Sequence, residues 1–164
     1  MAVKSAAKAR RRRFRRAVCW LLFLTYMAGL LYFVFMSDYF GRSGQLGDEY
    51  RYNLTMFQEI HRFWYYRETV GFTWAAINLF GNVLCFMPFG FLVPVLRKHR
   101  VNVFLMTFYT FCFSLTIETL QLVLKIGVFD VDDLLLNTVG GAAGYILYVI
   151  VRTLVRAFER RRAR

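Results

Sequence analysis

Apolar residues run almost unbroken through four stretches of this chain, 18–36, 76–96, 101–124 and 134–151, and polar residues gather near the ends of these runs. Each stretch is close to the ~20 residues that carry an α-helix across ~30 Å of hydrocarbon at 1.5 Å per residue. The pattern predicts an all-α, polytopic membrane protein with four transmembrane helices, read as a single membrane domain over 1–164. Between the first two runs the pattern changes. Phe57, Ile60 and Trp64 recur at helical spacing, with Gln58, Glu59 and Arg62 on other faces, and Thr55 with Gln58 fits a capping box. That predicts a short amphipathic helix lying at the interface, beside the aromatic run "FWYY" at 63–66.

Composition agrees: 58% of residues are hydrophobic and 19% aromatic, above the ~45–50% apolar share of a soluble domain. Basic residues precede the first run as in a secretory signal, but no small-residue cleavage site follows it, so it is expected to remain attached. Cys19, Cys85 and Cys112 all fall inside predicted spans, where they are expected to pack rather than to bridge or bind metal.

The net charge of +12 invites a nucleic-acid reading, but the placement of the charges opposes it. Seventeen Lys and Arg lie in 1–17, 97–100 and the tail from Arg152, against five in the other two loops: Arg42, Arg51, Arg62, Arg67 and Lys125. Under the positive-inside rule both termini are cytoplasmic, leaving 37–75 and 125–133 outside. The basic tails, 1–17 and 152–164, then meet anionic headgroups, so membrane lipids and not nucleic acid are the expected partners.

That orientation sorts the polar residues by depth. Asn78 and Asn82 on the second run, Glu118 and Gln121 on the third, and Asp133 and Asn137 on the fourth all reach the outer end of their helices, with Asp130 and Asp132 just above. Side chains of this kind in lipid face a protein interior or a cavity, which makes them a candidate site. The same groups can also lock helices together by hydrogen bonds. Glu118, Asp130 and Asp133 are the charged candidates, and Asn78, Asn82, Gln121, Asp132 and Asn137 complete the polar cluster. Elsewhere, Gly140 and Gly144 form a small-xxx-small packing face, Pro88 and Pro94 are expected to kink the second helix, and Asn53-Leu54-Thr55 matches a short glycosylation sequon.

The spaced set Asn78-x-x-Gly81-Asn82-x-x-x-Phe86-x-Pro88-x-Gly90, then Glu118-x-x-Gln121, then Asp130-x-x-Asp133-x-x-x-Asn137-x-x-Gly140-x-x-x-Gly144 resembles the VanZ-like family of bacterial membrane proteins, and "YNLTMF" at 52–57 resembles its outer-loop signature. The resemblance covers about residues 50–148. It implies a multi-pass protein of the bacterial plasma membrane, acting at the outer leaflet in cell-envelope homeostasis or tolerance to the glycopeptide teicoplanin. Lipid-linked wall precursors or a lipoglycopeptide are then possible partners. A second reading is a membrane-embedded hydrolase or transferase on a lipid-linked envelope substrate. No cofactor is expected, although paired carboxylates could bind a divalent cation. A small transporter is a lesser reading, since that calls for ionisable groups at mid-membrane.

Overall fold

The computed structural model describes residues 2–41, 50–58, 61, 65, 72–97 and 101–162, with the side chains of 2–8, 12, 36–41 and 72–78 outside that description. Four long helices follow one another among the described residues: α1 (Ala2–Gly41), α2 (Phe72–Leu96), α3 (Val103–Val123) and α4 (Val131–Arg162). Among the described residues, all four are long and apolar enough to cross a membrane. α1 and α4 outrun the predicted spans at their basic ends. Ala, Lys and Arg are strong helix formers, and no Gly or Pro stops the helix where hydrocarbon gives way to water. At 32 residues, α4 is about 48 Å long and exceeds the bilayer core on its own.

The bundle is held by close backbone approach, as expected where lipid offers no hydrophobic drive between helices. A Cβ added at Gly144 would overlap the Met87 carbonyl, one at Gly90 the backbone of Gly141, and one at Gly141 the Thr110 side chain. α4 is thus seated against α2 through the stripe foreseen at Gly140 and Gly144, and against α3 through Gly141. α1 packs on α2 and α3 through a small apolar cluster of Leu30, Phe86 and Ile117, flanked by Tyr26, Val34, Cys85 and Phe113. The Tyr26 hydroxyl donates to the Cys85 carbonyl at 2.7 Å, next to the turn where Pro88 withdraws an N–H. α2 stays one helical element through both prolines. Most large apolar side chains, such as Phe104 and Ile146, point outward, as does Cys112, which therefore faces the surroundings rather than the predicted packed interior.

Two short strands join the loops at one end of the bundle. β1 (Tyr52–Asn53) pairs in parallel with β2 (Phe129–Asp130), Tyr52 opposite Phe129 and Asn53 opposite Asp130. The Phe129 N–H adds a bond to the Arg51 carbonyl. Of the predicted interfacial helix, Gln58, His61 and Tyr65 are helical and the His61 N–H reaches the Phe57 carbonyl at 2.8 Å. Ile60, Trp64 and most of "FWYY" lie outside the described residues. His61 is exposed and stacks on Tyr65. The start of this helix is anchored differently from the predicted Thr55–Gln58 box. The Thr55 N–H bonds the Asn53 carboxamide, and the Phe57 N–H bonds Asp132 of α4, with Phe57 itself at a positive φ of 64°.

Candidate functional site

α3 ends where the acids begin. Its last turn closes with Lys125 N–H to the Leu122 carbonyl and Ile126 N–H to the Gln121 carbonyl, with Lys125 at φ 54°. This is the paired bond pattern of a Schellman cap, with Lys in the left-handed position that glycine usually takes. The reversal brings 129–133 back over the end of α3. There Asp130 serves as the N-cap of α4, its Oδ1 accepting from the Asp132 N–H at 2.8 Å.

From this corner a polar ladder descends between α3 and α4. Glu118, Ser114 and Thr110 follow at intervals of four on α3 and are 3%, 0% and 0% exposed. Asp133, Asn137 and Gly141 follow at the same interval on α4. The Asp130 N–H donates to Glu118 Oε2 at 3.1 Å, Asn137 Nδ2 donates to Ser114 Oγ at 2.9 Å, and Gly141 abuts Thr110. The Asn137 Oδ1 atom is buried and unpartnered. Below Thr110, the fully buried Met106 ends the row.

The structure unites most of the sequence-derived cluster and redistributes its roles. Asn82 Nδ2 donates to Asp133 Oδ1 across α2 and α4. Asp130 Oδ2 accepts from Asn53 Nδ2 at 3.1 Å, and Asp132 Oδ1 accepts from the Phe57 N–H at 2.6 Å. Gln121 Nε2 donates to the Val34 carbonyl of α1 at 3.2 Å. Asn78 lies on α2 one turn before Asn82, with its side chain outside the described residues. Asn53, Thr110 and Ser114 are the members that the sequence reading missed. The last two were visible as a period-four row ending at Glu118. Both ends of the Asn53 carboxamide are engaged.

Three of the four acids accept backbone N–H bonds, and Asp130, Asp132 and Asp133 sit at the positive end of the α4 dipole. Glu118, Asp130 and Asp132 are buried while Asp133 is half-buried, so the cluster reaches the surface at the Asp133–Asn82 pair. Among the described residues, no three His, Cys, Asp or Glu side chains are grouped to hold a metal ion.

Residues 23–152 match the VanZ/LLP1 family. The chain belongs to that family. A 72-residue stretch is 41% identical to Protein VanZ of Enterococcus faecium, covering 43% of this chain and 44% of that protein; the match thus spans less than half the length of the relative. No solved structure matches the chain. Together with the four spans, membership of the VanZ/LLP1 family describes a multi-pass membrane protein.

Proposed function

We propose that this protein acts at the outer leaflet of the bacterial plasma membrane, in cell-envelope homeostasis or tolerance to glycopeptides of the teicoplanin type, with both termini cytoplasmic. The observation that carries the reading is the convergence of four acids at one end of the bundle, of which Asp133 is half-buried beside Asn82. Glu118, Asp130 and Asp132 hold the corner in shape, and Asp133 with Asn82 forms the face that meets a polar headgroup or a wall-precursor group. The lysine and arginine bias supports the orientation. A transferase or hydrolase draws less support, because the buried carboxylates are already committed to backbone donors. A transporter draws less still, since the polar row stops at Thr110.

The test is charge removal without loss of shape. Asp133→Asn keeps an acceptor for Asn82, so the variant should reach the membrane at wild-type level, melt within a few degrees of wild type, and lose glycopeptide tolerance in a sensitive host. Glu118→Gln and Asp130→Asn should also weaken tolerance, with a larger loss of stability. Full tolerance in all three, or failure only through degradation, would make the cluster interhelical glue. For orientation, an impermeant thiol reagent on intact cells should label a cysteine placed at Ser43 and leave one at Ala163 untouched; the reverse would move the site to the other leaflet.

A further inference from the structure

Residues 50–57 are unusual for a loop. Tyr50, Tyr52, Leu54, Met56 and Phe57 are each between 53% and 65% exposed, five large apolar side chains within eight residues. A patch of this density marks an interaction surface. Several polar groups of the same segment are satisfied within the chain: the Asn53 carboxamide by Asp130 and the Thr55 N–H, and the Phe57 N–H by Asp132. Each such bond lowers the cost of bringing the segment against an apolar medium.

Two further observations identify the medium. Lys125 Nζ lies 5.0 Å from the centre of the Tyr50 ring, which joins the segment to the end of α3, where Leu120, Val123 and Leu124 are exposed. These side chains belong to the lipid-facing surface of a 21-residue span whose ~31 Å length matches the hydrocarbon core. The segment is therefore continuous with a lipid interface and sits at its boundary. It also brings Arg51 and Lys125, two cations, to the depth of the lipid phosphates.

We propose that residues 50–57 form a membrane-inserted strap whose apolar side chains occupy the headgroup and upper acyl region of the bilayer, while Asp130 and Asp132 hold its backbone to the bundle. The occupant is bilayer lipid. The proposal holds for whichever leaflet this end faces and does not rest on the glycopeptide reading. Its consequence is that part of the acidic cluster acts as the inner mooring of a lipid-contacting element.

The test uses the full chain with its native cysteines replaced, in bilayers of phosphatidylcholine and phosphatidylglycerol, carrying a nitroxide at Leu54 or Met56. Both labels should lose accessibility to a water-soluble nickel chelate and collide with oxygen as a label at Phe108 does, whereas one at Glu159 stays nickel-accessible. Labels at Leu54 and Met56 that behave like Glu159 overturn the strap. Shielding that appears only when a lipoglycopeptide is added also overturns it, by making the occupant a soluble amphiphile. Hydroxyl-radical footprinting of the unmodified chain gives a second readout that needs no substitution. Tyr50, Tyr52 and Met56 should be protected in bilayers, and modification at the rate of free side chains refutes the proposal.

Discussion

Asp132 is the most informative residue to perturb, because a fully buried side chain at the start of α4 holds a backbone amide far away in sequence. It is 1% exposed and accepts the Phe57 N–H at 2.6 Å, so the strap and α4 share one carboxylate. A hydrogen bond to a charged acceptor contributes about 1.5–3 kcal/mol and a neutral one about 0.5–1.5 kcal/mol. Asp132→Asn keeps an oxygen acceptor and gives up the charge, so it should cost the strap about 1–2 kcal/mol; Asp132→Ala removes the acceptor and should cost about 2–3 kcal/mol. Each 1.4 kcal/mol is a factor of ten in an equilibrium. Exchange of the Phe57 amide, if it proceeds by local opening, should accelerate about tenfold in the first variant and about a hundredfold in the second. Hydrogen exchange on lipid-embedded protein reads this from a peptide covering 50–58, with one covering 103–117 in α3 as the internal control. Unchanged exchange at 50–58 would refute the mooring. Equal acceleration in both peptides would refute its local character and make Asp132 a determinant of the whole bundle.

Two other predictions address the interior. Gly144→Ala drives a Cβ into the Met87 carbonyl and should lower stability by about 1–3 kcal/mol, whereas Gly29→Ala, with open space around it, should be neutral or stabilising; thermal melting in nanodiscs compares them, and equal midpoints would contradict the α2–α4 contact. Ser114→Ala strips the partner from a buried amide and should cost about 1–3 kcal/mol, while the double change Ser114→Ala with Asn137→Leu removes both polar groups and should recover most of it; purely additive losses in the same assay would show that the two side chains are not coupled.

The four spans were legible because bilayer thickness sets a length that composition alone can satisfy, and the depth of Glu118, Asp133 and Asn82 followed from helix rise. The partners of these side chains were not legible. A depth argument fixes the level of a residue on its helix but not its azimuth, so the bond from Gln121 to the Val34 carbonyl of α1 could not be read from it. Loop contacts were hidden for a different reason. Asn53 and Phe57 meet Asp130 and Asp132 across more than seventy residues, and nothing local in "YNLTMF" records that pairing. Part of what the acids bind was hidden as well, because the backbone N–H groups that donate to Glu118, Asp130 and Asp132 are present in every sequence and visible in none.

Thr110 and Ser114 mark the opposite case, a signal that was present and carried little weight. Hydroxyl residues are ordinary in spans, because they can bond the carbonyl one turn back, as Thr110 does with Met106 at 3.0 Å. Only their common spacing of four with Glu118, set beside the same spacing in Asp133, Asn137 and Gly141, aligns two helices in register. Read jointly, the two rows predict that α3 and α4 meet along a polar seam. That seam explains why α4 carries Gly141 where Thr110 stands: a side chain there would push the helices apart and strand Asn137. The unpartnered Oδ1 of Asn137 then sits at a place the seam itself keeps closed. A buried group left unpaired is destabilising, and such an atom in a native structure calls for an explanation beyond packing. In this family member it lies one helical turn beneath Asp133, the acid through which the cluster reaches the surface.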